Sequence, residues 1–219
     1  AHCCVSRGSV RRVLRDLEDE GWLKRTQGGA VLLGKAGVER SSGVRGVEHI
    51  EEKRRIARKA SEFVEDGDTI ALDNGTTVLE MARFLTDRKS LSVVTNDVEI
   101  AKFLEINSDA NIILIGGTLR RGFHCTTGPM AVAAIASLNV DKAFMATNAF
   151  SLDKGFTTPN FEHAEAKRAL FSIASEATML VDSSKIGRIS FITFAGIGDI
   201  DRFITDDRIG AKARTTLVE

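Results

Sequence analysis

Short apolar segments alternate with helix-forming patterns through most of this chain, and that alternation limits the folds it can adopt. The apolar segments are TIALD (69–73), LSVVTN (91–96), NIILIGG (111–117), KAFMATNAF (142–150) and TMLVD (178–182). Helical patterns lie between them at 78–85, 98–104, 130–138 and 162–174. The alternation predicts an α/β domain, with a mostly parallel sheet and helices on both faces.

Polar and glycine-rich residues follow three successive predicted strands. Folds of this kind bind ligands at the carboxyl ends of their strands. Free backbone N–H groups and hydroxyls in the first of these loops suit a phosphate group. A glycine after a strand is often only a turn, but three such ends in a row favour a site. The candidate residues are Asp73, Asn74, Gly75, Thr76, Thr77, Thr95, Asn96, Gly116 and Gly117.

Further polar groups near the later strands extend this candidate site. They are Gly155, Glu165, Lys167, Asp182 and Lys185. The two lysines are the best candidates for pairing with an anion, because a lysine ammonium is a compact point charge. The alternative for each is an ordinary surface lysine.

Several classes of protein are disfavoured by what the sequence lacks. No apolar run approaches the roughly 20 residues of a membrane helix, and there is no signal-peptide pattern, so we expect no membrane association. The sequence contains neither GxGxxG nor GxxxxGK[ST], so we expect no nucleotide cofactor. Cys3, Cys4 and Cys125 lack the spacing of a metal site or a disulfide framework, which fits a reducing cytoplasm.

The segment 9–33 combines a cationic amphipathic helix with a two-stranded hairpin. Val10, Val13, Leu14 and Leu17 recur at helical spacing and predict one apolar face. Gly21 then ends the helix, and glycines form the turn of the hairpin. This is the second half of a winged helix-turn-helix, so we expect residues upstream to be missing. The candidate DNA-binding residues are Ser9, Arg11, Arg12, Arg15, Arg25, Gly28 and Gly29.

An uneven charge distribution supports this interpretation, although the whole chain is formally neutral. Residues 1–60 hold 14 basic and 8 acidic side chains, whereas the remainder holds 16 and 22. A basic N-terminal part on an acidic body suits phosphate attraction to DNA. The alternative is a solvated charged helix.

A long helical pattern over 47–64 follows the first module. It predicts a buried stripe of apolar residues, while Glu51, Glu52, Lys53 and Arg54 face water. We predict three parts: a partial winged helix-turn-helix at 1–34, a linker at 35–46, and an effector-binding domain at 47–219.

Ordered motifs along nearly the whole chain resemble the DeoR family of bacterial transcriptional regulators. The DNA-binding part matches in Ser9–Arg12, Leu17, Gly21 and Arg25–Ala30; Val13 replaces the usual Asp, and Gln27 the usual His. The sensor part matches in LDNGTT (72–77), VVTN (93–96), LIGG (114–117), TGP (127–129), DKAF (141–144), GFTT (155–158), EAK (165–167), DSSK (182–185) and ITD (204–206).

The resemblance implies a fold shared with ribose-5-phosphate isomerase and CoA transferases, and a phosphorylated sugar as effector. At the end of the fourth strand, Ala146–Ala149 departs from the common Gly-Ala-Ser-Gly, which makes Asn148 a candidate contact to a sugar hydroxyl. The expected partners are a double-stranded DNA operator, the effector, and further copies of the chain in a homo-oligomer.

Three functions fit these patterns. The first is a repressor of a carbohydrate-utilisation operon, controlled by a sugar phosphate. The second is a sugar-phosphate isomerase or deaminase on the same fold, with a base among Asp73, Glu165 and Asp182, backed by Lys185. The DNA-binding module and the lack of a catalytic signature argue against that enzyme. The third is an oligomerising sensor domain that no longer binds DNA.

Overall fold

The computed structural model describes residues 7–19, 23–26, 29–32, 39, 41–210, 214, 215 and 217. Its helices are α1 (Arg7–Asp19), α2 (Ser42–Val47), α3 (Ile50–Ser61), α4 (Thr76–Ala82), α5 (Val98–Asn107), α6 (Pro129–Ile135) and α7 (Phe161–Ser172). Its strands are β1 (Leu23–Thr26), β2 (Gly29–Leu32), β3 (Thr69–Leu72), β4 (Ser92–Thr95), β5 (Asn111–Leu114), β6 (Thr118–Arg120), β7 (Cys125–Thr127), β8 (Val140–Ala146), β9 (Ala149–Ser151), β10 (Gly155–Thr158), β11 (Ala174–Leu180), β12 (Ile192–Ala195) and β13 (Arg202–Ile204).

The N-terminal residues form the expected helix and hairpin. Strands β1 and β2 pair antiparallel, with Leu23 opposite Leu32, and α1 packs against β1. The apolar face of α1 is only partly covered by the described residues. Leu14 and Leu17 are half-buried, whereas Val10 and Val13 are 41% and 53% exposed.

A six-stranded parallel sheet forms the centre of the larger domain. Its strand order is β13-β11-β8-β3-β4-β5. Side chains alternate between two cores because successive residues of a strand point to opposite faces. In β3, Ile70 and Leu72 belong to the core formed with α3, α4 and α5, while Ala71 faces the core that includes residues of α6 and α7. The predicted mostly parallel sheet with helices on both faces is therefore confirmed.

The predicted strand at 142–150 divides into two strands of different sheets. The Thr147 hydroxyl donates to the carbonyl oxygens of Ala149 at 2.8 Å and Thr157 at 3.1 Å, so the chain turns there. Strand β9 then pairs with β10, and β10 with β12, in a small antiparallel sheet. This turn places Asn148 at the carboxyl end of β8.

The expectation that Glu52 and Lys53 face water is wrong. Both side chains are buried on α3. Glu52 pairs with Arg208 at 2.7 Å, and the Lys53 ammonium donates to the carbonyl oxygen of Arg45. The desolvation caused by burial lowers the pKa of Lys53 to about 8. Polar partners on α2 and near the C-terminus thus compensate two charges on a helix face that sequence periodicity assigns to solvent.

Part of the predicted linker is ordered against the larger domain. Residues 42–47 form α2, and the Ser42 backbone N–H donates to the carbonyl oxygen of Gly122 at 2.9 Å. The Ser42 hydroxyl donates to the carbonyl oxygen of Phe123 at 3.2 Å. These bonds fix the start of α2 beside the loop between β6 and β7.

Candidate functional site

The carboxyl ends of the parallel strands bring the predicted polar residues to one edge of the sheet. Asp73 and Asn74 follow β3, and Thr95 and Asn96 lie at the end of β4. Asn148 follows β8, and Asp182 follows β11. Because these four strands are neighbours in a parallel sheet, their ends lie side by side.

A buried ion pair lies at the centre of this edge. The Lys167 ammonium on α7 contacts Asp73 Oδ2 and donates to the carbonyl oxygen of Ala146 at 2.9 Å. Asp73 Oδ2 also accepts from the Ala146 N–H at 2.9 Å. Both charged side chains are almost completely excluded from solvent. The pair therefore joins α7 to the ends of β3 and β8.

His163, which sequence analysis did not select, occupies the same helix one turn before Lys167. Its Nε2 contacts Asn74 Oδ1, and its Nδ1 lies 3.2 Å from the Thr158 hydroxyl. That hydroxyl is also 2.9 Å from Asn148 Oδ1. Burial, followed by the positive charge of Lys167, lowers the pKa of His163 well below its usual value. The lowered pKa favours a neutral ring, in which a proton on Nε2 would donate to Asn74 Oδ1.

Two arginines extend the site beyond the strand ends, and sequence analysis missed both. Arg45 comes from α2, and Arg120 from the end of β6. The carboxylate of Glu39 lies 3.6 Å from Arg45 Nη1 and 3.0 Å from Arg120 Nη2. The Asn148 side-chain N–H donates to the same carboxylate at 2.9 Å. Glu39 thereby links the predicted linker to the sheet edge.

Lys185 lies in a short 3-10 helix just after β11, half-buried beside Asp182. Burial lowers its pKa; the charge of Asp182 acts in the opposite direction, and that of Arg45 lowers it further. Among the described residues, the Lys185 ammonium has neither a hydrogen-bond partner nor an ion-pair partner. Asp182 itself accepts from the Ser184 N–H at 3.2 Å. Lys185 is thus a desolvated cation without a direct partner, as an anion-binding residue would be.

The residues at the end of β4 have clear structural roles. The Thr95 hydroxyl donates to the carbonyl oxygen of Leu72 at 2.7 Å, and the Asn96 amide donates to Thr126 at 2.9 Å. Asp97 caps α5 by accepting from the N–H groups of Glu99 and Ile100. Desolvation raises the pKa of Asp97 to about 6, against the opposing effect of those hydrogen bonds.

The remaining predicted residues occupy less specific positions. Gly75, Thr76 and Thr77 lie at the start of α4, Gly116 and Gly117 follow β5, and Glu165 is half-buried on α7. Gly155 begins β10 in the small antiparallel sheet at a φ of +68°. A Cβ atom there would lie 2.3 Å from the carbonyl oxygen of Ala195. Backbone conformation and packing therefore explain the requirement for glycine at 155.

Buried polar atoms without a hydrogen-bond partner concentrate around this edge. Within the described part of the chain they are Asp73 Oδ1, Asn96 Oδ1, Arg45 Nε, Arg120 Nη1 and Thr205 Oγ1. Asp73, Asn96 and Thr205 each directly follow a strand of the parallel sheet. The two arginines lie on either side of the Glu39 carboxylate. Such atoms are rare in folded proteins because leaving them unpaired costs about 1–3 kcal/mol each.

The described residues contain no group of three or more His, Cys, Asp or Glu side chains arranged to hold a metal ion. Cys125 is buried in β7, where desolvation raises its pKa to about 11.

In the N-terminal module, Ser9, Arg11, Arg12 and Arg15 are exposed on α1. Arg25 on β1 is bonded to Glu18 of α1 in two ways. Its side-chain Nε lies 2.6 Å from Glu18 Oε2, and its backbone N–H donates to Glu18 Oε1 at 2.7 Å. Of the two predicted glycines of the turn, Gly29 begins β2, and Gly28 lies outside the described residues.

A helix and hairpin with exposed arginines, followed by a parallel α/β domain, are typical of a DNA-binding transcriptional regulator. The sequence model of the DeoR C-terminal sensor domain family matches residues 48–207 of this chain. The chain belongs to the DeoR family of transcriptional regulators.

Similar proteins include the HTH-type transcriptional regulator GlpR of Haloferax volcanii. It is 38% identical over 214 residues, which cover 97% of this chain and 83% of GlpR. The uncharacterized HTH-type transcriptional regulator FruR of Bacillus subtilis is 37% identical over 202 residues, which cover 92% of this chain and 80% of FruR.

Among the described residues, no helix is long and apolar enough to cross a membrane.

A solved structure of low sequence identity shares the fold. The eIF2B delta subunit of Chaetomium thermophilum superposes with a TM-score of 0.51 at 18% identity, over 74% of this chain and 58% of that one. Ribose 5-phosphate isomerase A of Methanocaldococcus jannaschii gives a TM-score of 0.47 at 19% identity, over 64% and 55% of the two chains.

Proposed function

We propose that this protein is a DNA-binding repressor of a carbohydrate-utilisation operon, and that a phosphorylated sugar controls it. The sugar phosphate binds at the carboxyl edge of the parallel sheet. The N-terminal helix and hairpin bind the operator. Ligand control of this kind requires the effector to bind the two DNA-binding states with different affinities.

The unpartnered buried atoms at the sheet edge carry this proposal. Asp73 Oδ1 and Asn96 Oδ1 are acceptors, which sugar hydroxyl groups can satisfy by donating. Arg45, Arg120 and Lys185 bring positive charge to the same region, which suits a phosphate. A phosphorylated sugar combines both kinds of group in one small molecule.

A thermal-shift screen with phosphorylated sugars tests this binding. A ligand present at 100 times its dissociation constant should stabilise the folded protein by about 2.7 kcal/mol. Lys185→Ala should reduce the shift produced by the best ligand, whereas Lys102→Ala, at an exposed position of α5, should not. If no phosphorylated sugar raises the melting temperature, the effector proposal is wrong.

An isomerase or deaminase on this fold is the alternative that we reject. Asp73 and Lys167 are bound to each other and to the backbone of Ala146, so neither presents a free catalytic group through the paired atoms. Such an enzyme would also have no use for a DNA-binding module. Turnover of ribose 5-phosphate or glucosamine 6-phosphate by the purified protein would overturn this choice.

Operator binding by α1 predicts a specific dependence on salt. Arg12→Ala should weaken binding to the promoter DNA of the protein's own operon and reduce the slope of log K against log salt by about 1, because one phosphate contact is lost. Lys102→Ala should leave that slope unchanged, because Lys102 lies on α5 of the larger domain and not in the DNA-binding module. Equal slopes for both variants and the unmodified protein would remove Arg12 from the interface. Gel-shift titrations across a salt series measure these slopes.

We further propose that the protein acts as a cytoplasmic homo-oligomer, divided into a DNA-binding module at 1–34, a linker at 35–46 and a sensor domain at 47–219. Regulators that bind paired half-sites are oligomers with matching symmetry. Met130 on α6 is 76% exposed, which supports α6 as part of an interface. A single monomeric species in sedimentation equilibrium would contradict this assembly.

A further inference from the structure

We propose that Arg45 and Arg120 form the subsite for the effector's phosphate, and that Glu39 occupies this subsite as an internal competitor. In this account the effector's phosphate displaces the Glu39 carboxylate and releases the segment that leads to the DNA-binding module. The inference rests on the proposed function only in taking the natural ligand to be a phosphorylated sugar. The subsite itself is defined by this chain's own charges.

The two guanidinium groups are held in place before any ligand binds. Arg120 Cζ lies 4.2 Å from the centre of the Phe123 ring, and Arg45 Cζ lies 5.7 Å from it. Both distances are within the range of cation–π attraction. The Arg45 backbone is fixed as well, because its carbonyl oxygen accepts from the buried Lys53 ammonium. One aromatic ring thus orients two neighbouring cations from different parts of the chain.

Glu39 is a buried anion on this cationic pair. Its side chain is only 5% exposed, and both carboxylate oxygens are engaged. One oxygen accepts from Asn148 and faces Arg45, while the other accepts from Arg120. The contacts therefore resemble those of a bound anionic ligand, with the chain itself supplying the anion.

One carboxylate does not satisfy this pair of cations. Two positive charges face one negative charge, and Arg45 Nε and Arg120 Nη1 remain buried without partners. A phosphate monoester carries about −1.5 to −2 charges at neutral pH and three acceptor oxygens. Arginine also matches the geometry of phosphate oxygens through its fork of N–H donors. A phosphate group is thus the better ligand for both charge and hydrogen-bonding capacity.

The position of Glu39 in the chain gives this competition a consequence. Glu39 lies between β2, which ends at Leu32, and α2, which begins at Ser42. Its contact with Arg120 holds Glu39, a residue of the connection between the two parts of the protein, at the sheet edge. Displacement of the carboxylate removes that contact. Because both anions need the same arginines, the effector's phosphate and the Glu39 carboxylate exclude each other from the subsite.

Isothermal titration with inorganic phosphate at constant ionic strength tests the competition directly. Glu39→Gln should bind phosphate at least about tenfold more tightly than the unmodified protein, because a charged competitor is lost. Glu105→Gln, which removes the same charge from an exposed position on α5, should bind phosphate like the unmodified protein. Unchanged or weaker binding by Glu39→Gln would overturn the competitor role.

Arginine variants test the subsite itself. Arg120→Gln should weaken phosphate binding about tenfold or more. The double variant Glu39→Gln/Arg120→Gln should bind phosphate about tenfold or more weakly than Glu39→Gln, and it leaves no buried carboxylate deprived of Arg120. Circular dichroism would check that each variant is folded. A folded double variant that binds phosphate as tightly as Glu39→Gln would overturn the subsite.

The same titrations, repeated with the phosphorylated sugars, separate this inference from the proposed function. Phosphate binding that depends on Arg120, without binding of any phosphorylated sugar, would support the subsite and contradict the sugar-phosphate effector. Tight binding of a sugar phosphate that is insensitive to Arg120 and Glu39 would support the effector and overturn the subsite.

Discussion

Lys167→Met should lower the free energy of unfolding by about 3–5 kcal/mol, which is a large part of the stability of an ordinary domain. The Asp73 carboxylate would lose the ammonium that contacts its Oδ2 and would remain buried without a compensating charge. The energy follows from this uncompensated charge and not from the intrinsic strength of the pair. Urea denaturation followed by circular dichroism measures the change.

Two further variants separate this cause from a general loss of packing. Asp73→Asn/Lys167→Met removes both charges and should recover much of the lost stability. Lys59→Met breaks an exposed pair with Glu62 and should cost less than about 1 kcal/mol. If the double variant were as unstable as Lys167→Met, the buried charge would not be the cause.

Gly155→Ala should destabilise the protein by about 2–5 kcal/mol, for two reasons that act together. The φ of +68° disfavours any residue with a Cβ atom, and that atom would overlap the carbonyl oxygen of Ala195 at 2.3 Å. The oxygen belongs to the backbone of β12, so β10 and β12 would have to separate. Thermal unfolding of the variant should show a large decrease in melting temperature.

Gly67→Ala is the matched control for Gly155→Ala. Gly67 also has a positive φ, +89°, but nothing lies within 4 Å of the Cβ position. It should therefore show only the conformational cost, about 1–2 kcal/mol. Equal losses at the two positions would mean that the approach of β12 to Gly155 contributes nothing.

The sequence predicts the central domain well because its signals are local. Each core strand is a short apolar run, and in each helix between them the apolar residues recur at helical spacing. Neighbouring residues therefore suffice to predict which segments are strands and which are helices. The small antiparallel sheet has no comparable signal. Strand β12 pairs with β10, more than 30 residues earlier, and the division of the segment 142–150 depends on a hydrogen bond from Thr147 to Thr157.

The candidate site could be predicted only in part, for the same reason. Asp73, Asn148 and Asp182 follow strands, so topology alone places them at one edge. Arg120 and Glu39 meet across 81 positions of sequence, and no local pattern links them. His163 had a usable signal, because it lies four residues before Lys167 and so shares its face of α7.

The burial of charge on α3 shows a further limit of periodicity. Lys53 lies in a run of charged residues that reads as a solvated face. Its burial depends on a carbonyl group of α2, a helix within the stretch that sequence analysis treats as a linker. Hydrogen-bond partners from distant segments thus decide which charged residues of a helix are buried.

The central claim is that effector binding at the sheet edge and operator binding by the N-terminal module are energetically coupled. Fluorescence anisotropy with labelled DNA from the operon's own promoter, at fixed salt, tests it with the sugar phosphate that gives the largest thermal shift. We expect a saturable decrease in DNA affinity of about 5–150-fold, and an equal decrease in sugar-phosphate affinity when DNA is bound. DNA affinity that is unchanged at saturating sugar phosphate would contradict it.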